Sequence, residues 1–404
     1  RLVFRGFTQL RDIDYFQSYA PVTQVISIKL FYFWSMVMNL EVYHLDVKSA
    51  FLVPKLHEYI ICALPEGFDY EGFLYMILNK TLYGLVQAAW AWFMLFSTVL
   101  MKEFNFRRNP IEPCHLVFFN ADNSVICHIL FHVDNVMTAC NSKSFVSHFM
   151  AKSKKHFVLE FCKSDYVLGI SIMYDLKNRT IIFHQIKYIL ALVEKFEAPI
   201  HKKMSNVMRS NVEKRYFRPE TPKVQSDKPF LELLYSLLWV GRNTRVEVLF
   251  PCIFFSHFCN CYTDEMYNEL LLTLVYLYHT RDKVLTWKVP SYYWGGEPIP
   301  FALMCDASHA SRDDMKSFVG VMGFLSQCLI FAHCKSTAVV HTSSASSETD
   351  ACFEAWCYTK FINSWSQHLT YALGRDRALY QPIPIFTDST AAEAVLTKYV
   401  NTAR

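Results

Sequence analysis

The sequence predicts a multidomain α+β protein, and three observations lead to that fold class. First, 404 residues exceed what one compact core holds, at roughly 100–200 residues per domain. Second, two polar seams rich in Pro, Gly or charge, Asn206 to Pro229 and Val289 to Pro300, cut the chain into three blocks. Third, in the first and last blocks strand-like apolar runs alternate with stretches at helical spacing. Hydrophobic residues at 52% against 19% charged ones set the chain apart from disordered sequences and promise large cores.

In the first block, residues 1–205, Ile26 to Met38 reads as a helix and Val42 to Leu45 as a short strand. Val125 to Val133 and Val136 to Ala139 read as the arms of a hairpin with an Asp134-Asn135 tip. The middle block, 206–290, is apolar at helical spacing from Phe230 to Trp287 and predicts mostly helices. The last block, 296–404, is the most legible. Phe301 to Cys305, Ser317 to Phe324 and Cys328 to Cys334 read as strands separated by turn residues. Ser347, with Asp350 three positions on, approximates a capping box and opens a helix to about Trp365. Pro384 to Thr387 makes a fourth strand, and Ser389 or Thr390 caps a final helix to about Tyr399. The order is βββαβα.

The net charge of +4 is mild, so affinity for a polyanion has to come from local clustering of Lys and Arg. Thirteen Cys, an odd number without framework spacing, fit a reduced intracellular protein. Cys259 and Cys261 lack the second ligand pair of a zinc site and read as buried thiols. Leu249 to Phe258 and Leu270 to Tyr278 fall short of the ~20 apolar residues a bilayer requires, so no membrane span is expected. The start at Arg1, without Met or the apolar core of a signal peptide, reads as a break inside something longer.

On this reading Asp306 ends the first strand of the last block, Glu348 and Asp350 lie in the first turn of its helix, and Asp388 ends its fourth strand. Acids from three elements then converge on one sheet edge. Clustered carboxylates repel, and a hard divalent cation such as Mg²⁺ is the usual way to hold them together. A single acid at a strand end is more often simply solvated, so the signal lies in the order and placement of the set. In the first block, Leu45-Asp46-Val47-Lys48-Ser49-Ala50-Phe51 ends an apolar strand on an acid, and the hairpin offers Asp134 and Asn135. Taken alone, that hairpin is an ordinary turn.

Further segments run in order through the chain: Arg1-Leu2-Val3-Phe4-Arg5-Gly6-Phe7, Ile13-Asp14-Tyr15, Tyr19-Ala20-Pro21-Val22, Leu64-Pro65-Glu66-Gly67-Phe68, Leu82-Tyr83-Gly84-Leu85-Val86-Gln87-Ala88 and Leu168-Gly169-Ile170. After them come Leu234-Tyr235-Ser236-Leu237-Leu238-Trp239 and Asn243-Thr244-Arg245-Val246-Glu247. The last block adds Met304-Cys305-Asp306-Ala307-Ser308, Lys316-Ser317-Phe318-Val319-Gly320, Ser346-Ser347-Glu348-Thr349-Asp350 and Phe386-Thr387-Asp388-Ser389-Thr390. Together they resemble the reverse transcriptase and ribonuclease H region of copia-type retrotransposon Pol polyproteins.

The resemblance implies reverse-transcriptase fingers and palm over 1–205, a helical thumb- or connection-like segment over 206–290, and a ribonuclease H-like βββαβα domain over 296–404 that lacks its end. It implies Asp46 and Asp134 as palm metal ligands with Asn135 at the third catalytic position, Phe51 as a steric gate against a ribose 2′-hydroxyl, Gln87 as a nucleotide-pocket contact and Arg5 as a triphosphate contact. It implies Asp306, Glu348, Asp350 and Asp388 as the nuclease residues, with Asp306, Asp350 and Asp388 holding metal. Two Mg²⁺ or Mn²⁺ ions would serve each site. The implied partners are an RNA template, a DNA primer, an RNA–DNA hybrid, deoxynucleoside triphosphates and the other parts of the Pol polyprotein, and the implied location is a cytoplasmic virus-like particle and the nucleus.

Several residues depart from the family. The hairpin reads His132-Val133-Asp134-Asn135 where the family has Tyr-Val-Asp-Asp, and a neutral amide oxygen is a weaker ligand for a hard dication. Val86 and Trp90 stand where the family has Lys and Arg, which removes two positive charges beside the expected nucleic-acid track. The nuclease acid at Asp350 is one methylene short, and the fourth acid would lie beyond Arg404. These departures predict impaired catalysis. The alternative is a non-catalytic remnant that at most binds nucleic acid; an unrelated α/β metal-dependent hydrolase would require all the ordered motifs to be coincidence.

Overall fold

The computed structural model describes residues 2–65, 67–68, 71–162, 166–216, 226–295, 297–311, 314–371 and 382–402. Arg1, Glu66 of the Leu64–Phe68 motif and part of the first seam lie outside the described residues. The chain is α+β and forms two compact units, Arg1–Ser164 with His368–Arg375, and Asp165–Gln367 with Asp376–Arg404.

The first unit runs α1 (Val25–Val37), β1 (Glu41–Val47), β2 (Ile61–Ala63), β3 (Tyr75–Ile77), α2 (Ala88–Phe104), β4 (Arg107–Arg108), β5 (His115–Phe119), β6 (Ile126–His132), β7 (Asn135–Cys140), α3 (Lys143–Ser153) and β8 (Leu159–Phe161). Six strands make one sheet in the order β4-β5-β6-β7-β1-β8, and β2 and β3 pair separately. Every residue of α1 from Ser27 to Val37 is buried, as expected of a helix that is apolar all round. The exception in chemistry is Lys29, 2% exposed and with no hydrogen-bond partner for its Nζ. Helix α2 stops at Asn105, whose left-handed backbone (φ 58°) returns its N–H to the Leu100 carbonyl. The Ser142 hydroxyl caps α3 by accepting the Phe145 N–H at 3.2 Å.

Two motifs 78 residues apart are fixed to each other by their glycines. Phe4 donates its N–H to the Tyr83 carbonyl at 2.7 Å. An added Cβ would lie 1.9 Å from the Gly84 oxygen at Gly6, and 2.0 Å from the Phe4 oxygen at Gly84, where φ is +93°. Only glycine permits this approach. Gly84→Ala is therefore expected to undock the N-terminal segment and cost about 2–4 kcal/mol, read as a lower urea midpoint of the full chain.

The second unit continues β9 (Tyr166–Val167), β10 (Ile170–Asp175), β11 (Thr180–His184), α4 (Ile186–Lys195), α5 (Val212–Arg215), α6 (Phe230–Asn243), α7 (Leu249–Ser256), α8 (Asp264–His279) and β12 (Leu285–Lys288). It ends with β13 (Phe301–Ser308), β14 (Lys316–Leu325), β15 (Cys328–Val340), α9 (Ser344–Tyr371), β16 (Ile385–Phe386) and α10 (Thr390–Thr402), in the expected βββαβα order. The described residues of this unit form two four-stranded sheets, β12-β11-β10-β9 and β15-β14-β13-β16.

The middle block is helical as predicted up to His279, but Trp287 belongs to a strand. Its partner β11 lies far back in the sequence, and the ring is 1% exposed, edge-on to Phe183 at 4.7 Å. The Asn243-Thr244-Arg245 motif works as a lock. The Asn243 amide donates to the Trp239 carbonyl (2.6 Å) and the Thr244 hydroxyl to Gln185 Oε1 (2.9 Å). The Arg245 guanidinium, its side chain 4% exposed, donates to the Thr280 carbonyl (2.9 Å) and Oγ1 (2.6 Å) and pairs with Glu247.

Two expectations are corrected here. Cys259 and Cys261 are half-buried rather than fully buried, packed on the helical core around Leu237 and Leu274. Helix α9 begins three residues before Ser347: the Ser343 hydroxyl accepts the Ser346 N–H at 3.2 Å, and Ser347, now inside the helix, donates its hydroxyl to the Ser344 carbonyl at 2.8 Å. At the final helix, Ser389 is the cap, accepting the Ala392 N–H at 3.2 Å. Among the described residues no helix is long and apolar enough to cross a membrane.

Candidate active sites

In the first unit, Asp46 near the end of β1 is paired across the sheet with Asn135 of β7 on one side and Glu160 of β8 on the other. Directly opposed residues point to the same face, so the three form one row. The hairpin tip is Val133-Asp134, one residue earlier than expected, because His132 and Asn135 form the closing pair. Val133 takes a left-handed backbone (φ 58°), a strained state for a β-branched residue, and its carbonyl accepts the Trp92 indole N–H at 2.6 Å. Asp134 is drawn beside Asp46 by the Val47 N–H, which its carbonyl accepts at 2.9 Å.

The electrostatics are those of crowded acids. Burial first, then the charges of Asp134 and Glu160, push the Asp46 carboxyl above its usual range. Burial and the charges of Asp46 and Asp134 likewise push the nearby Cys162 thiol up. Asn135 donates its amide N–H to Asp134 Oδ1 at 3.1 Å, so it both lacks a charge and occupies a carboxylate oxygen. Lys48 pairs with Glu160 at 2.5 Å, but both side chains are more than half exposed and the pair is worth little. Glu160 had no local signal in the sequence, since only strand pairing brings it here.

The expected nucleotide contacts divide. Phe51 sits in a single helical turn, Ala50–Leu52, preceded by Ser49 in left-handed backbone; its ring is half-buried, edge-on to Tyr83 at 5.6 Å. Arg5 is exposed. Gln87 is 1% exposed, and its amide is engaged: Nε2 donates to the Asp14 carbonyl and Oε1 accepts from Gln9, both at 3.1 Å. Here the buried amide, with donor and acceptor satisfied, holds the N-terminal segment.

In the last block, β13 and β16 run parallel with Leu303 beside Ile385 and Met304 beside Phe386. The register carries Asp306 and Asp388, each two residues further on, to the same level. Glu348, one turn into α9, joins them, and its Oε1 accepts the Ala307 N–H at 3.2 Å. Ligand oxygens of Asp306, Glu348 and Asp388 lie within 4.8 Å of one another, which makes this the one candidate metal cluster among the described residues.

Asp306 and Asp388 are exposed, whereas Glu348 is 7% exposed and its Oε2 is buried without a hydrogen-bond partner. Burial raises the Glu348 carboxyl most, the charges of Asp306 and Asp388 add to this, and the Ala307 N–H and Thr387 hydroxyl oppose it. An orphaned buried carboxylate oxygen between two further acids suits a hard cation, which would repay the desolvation cost.

Asp350, expected as a metal ligand, is not among the three clustered acids. Two residues on a helix are about 200° apart, so Asp350 faces away from Glu348. Its Oδ2 lies 3.7 Å from Nε2 of His341, a buried histidine the sequence reading missed.

Residues 1–206, half of the 404, match the family described as "Reverse transcriptase (RNA-dependent DNA polymerase)". The chain is 28% identical over 307 residues to the "Retrovirus-related Pol polyprotein from transposon TNT 1-94" of Nicotiana tabacum, covering 74% of this chain and 22% of that protein. It is 26% identical over 397 residues to the polyprotein from transposon RE2 of Arabidopsis thaliana, covering 97% and 26%. The chain thus spans about a quarter of the length of these relatives.

Among solved structures, it is similar to a foamy viral protease-reverse transcriptase in complex with double-stranded DNA (12% identity, TM-score 0.46, 94% of this chain and 54% of that one). It is also similar to the foamy viral enzyme in complex with an RNA/DNA hybrid (11%, TM-score 0.47, 95% and 42%). With half of its length, including Asp46 and the Val133-Asp134 hairpin, inside the family match, the chain belongs to the reverse transcriptases (RNA-dependent DNA polymerases) of the kind carried in retrotransposon Pol polyproteins.

Proposed function

We propose that this chain is the RNA-directed DNA polymerase of a copia-type retrotransposon joined to its RNA–DNA hybrid ribonuclease H, with the polymerase centre impaired. The observation that carries the polymerase reading is the row of Asp46 and Asn135 beside the Asp134 turn, inside the region that matches the family. The nuclease reading rests on the buried, unpartnered Glu348 oxygen between Asp306 and Asp388. Asp46 and Asp134 would hold Mg²⁺ or Mn²⁺ in the palm, and Asp306, Glu348 and Asp388 would hold it in the last domain. When bound, such ions supply Lewis-acid stabilisation of phosphoryl oxygens and lower the pKa of a coordinated hydroxyl or water.

The substrates on this reading are deoxynucleoside triphosphates with a DNA primer on an RNA template, and the RNA strand of the resulting hybrid. The impairment has a physical cause. Asn135 removes one negative charge from the palm and ties up one oxygen of Asp134, so the site offsets a dication poorly. Primer extension on an RNA template with Mg²⁺ or Mn²⁺ tests this, comparing the chain with Asn135→Asp. The variant is expected to gain at least about 10²-fold, roughly 2.7 kcal/mol of barrier. Robust extension by the unmodified chain would overturn the assignment of Asn135, and none in either variant would favour a non-catalytic remnant.

A further inference from the structure

We infer that Cys305 and Cys352 form a reversible disulfide that ties together the elements carrying the Asp306–Glu348–Asp388 centre and controls its hold on a cation. The two Sγ atoms are 3.5 Å apart. Cys305 immediately precedes Asp306 on β13, and Cys352 lies one turn after Glu348 on α9. The Cys305 thiol donates to the Phe386 carbonyl of β16 at 3.6 Å, two residues before Asp388. Strand, helix and second strand therefore meet at the two sulfurs, and the residues Cys305 and Cys352 are 6% and 3% exposed. The exposed Cys357, further along α9, is the competing thiol.

A disulfide requires about 2.05 Å between sulfurs, so the pair closes by roughly 1.5 Å. The oxidant is a small-molecule disulfide such as oxidised glutathione. One cysteine thiolate attacks it, forming a mixed disulfide and expelling one small thiolate. The second cysteine then attacks the protein sulfur of that mixed disulfide, forming the Cys305–Cys352 bond and expelling the other. The two cysteines lose two electrons, and their two protons end on the two released thiols. The product no longer has the S–H that serves the Phe386 carbonyl, and it draws the Asp306 strand against the Glu348 helix. Both changes move carboxylates whose oxygens have to converge on one ion, and cation affinity falls.

The link itself is independent of the nuclease reading, whereas its control over the centre rests on that reading. The test uses the full chain treated with oxidised glutathione, quenched by alkylation and mapped by mass spectrometry, with Mn²⁺ titrated calorimetrically before and after. The expected result is a Cys305–Cys352 cross-linked peptide that dithiothreitol removes, with Mn²⁺ affinity at least about tenfold weaker in the oxidised form. Cys357→Ser should keep both effects. Cys352→Ala and, independently, Cys305→Val should bind Mn²⁺ with an affinity indifferent to the oxidant. Glutathione found on Cys357 with no cross-link would overturn the link. A cross-link with unchanged Mn²⁺ affinity would overturn the control, and no Mn²⁺ binding by the reduced chain would sink the metal-centre reading while the peptide map still decides the link.

Discussion

Glu348→Gln is expected to weaken Mn²⁺ binding by the last block more than about 10²-fold and, on the proposed ribonuclease H reading, to abolish cleavage of an RNA–DNA hybrid, while Asp350→Asn changes either by less than about threefold. The amide keeps an oxygen to accept the Ala307 N–H, so the N-terminal part of α9 has no reason to move. What disappears is a buried negative charge with an unpartnered oxygen. Asp350 serves as the control because it carries the same charge in the same helical turn and faces His341 instead. Equal losses in the two variants, measured by Mn²⁺ calorimetry and by hybrid cleavage, would refute the assignment. The comparison separates charge in general from charge at one place.

Lys29→Met is expected to stabilise the chain by roughly 3–5 kcal/mol at pH 6 and to have almost no effect above pH 10.5. Burial alone pushes the Lys29 ammonium down from 10.5 to about 7. The sign follows from proton counts. Between pH 7 and 10.5 the unfolded chain holds a proton that the folded chain does not, so stability rises with pH by about 1.4 kcal/mol per unit. Below pH 7 both states are protonated and the penalty is constant and full.

Methionine fills a similar volume without the charge, and so removes the penalty and its slope. Urea unfolding of both proteins at pH 6, 8 and 10 checks this; parallel stability profiles would show that Lys29 keeps its proton in the fold as readily as in the unfolded chain. The buried histidines of the same unit act in the same direction at lower pH. Burial lowers His128 to about 3 and His115 well below its normal value, so their contribution is lost as pH falls below 6.5.

The parts of the fold that could be read from sequence were those with local causes. The βββαβα order followed from period-two runs, turn residues and Ser389, whose capping bond spans three residues. The palm hairpin was recognisable for the same reason, although its tip was misplaced by one residue. Tip position depends on which pair closes the ladder, and here the pairing of Asn135 with both His132 and Asp46 decides it. Trp287 read as helical because its apolar neighbours allowed a helix, while its strand partner lies more than a hundred residues earlier. The Asn243-Thr244-Arg245 motif was visible as a motif, but its role as a lock depends on Gln185 and Thr280 from other elements.

By itself the sequence determined the α+β class, the family, the order of elements in the last block and the identity of two of its clustered acids, Asp306 and Asp388, because all of these rest on residue type and local spacing. Tertiary structure alone decided that Glu348 rather than Asp350 completes the cluster and that Gln87 is buried and engaged. It alone decided that Gly6 and Gly84 meet and that Lys29 has lost its solvent. Helix phase, strand register and desolvation are set by neighbours distant in the chain, and no local pattern of residues contains them.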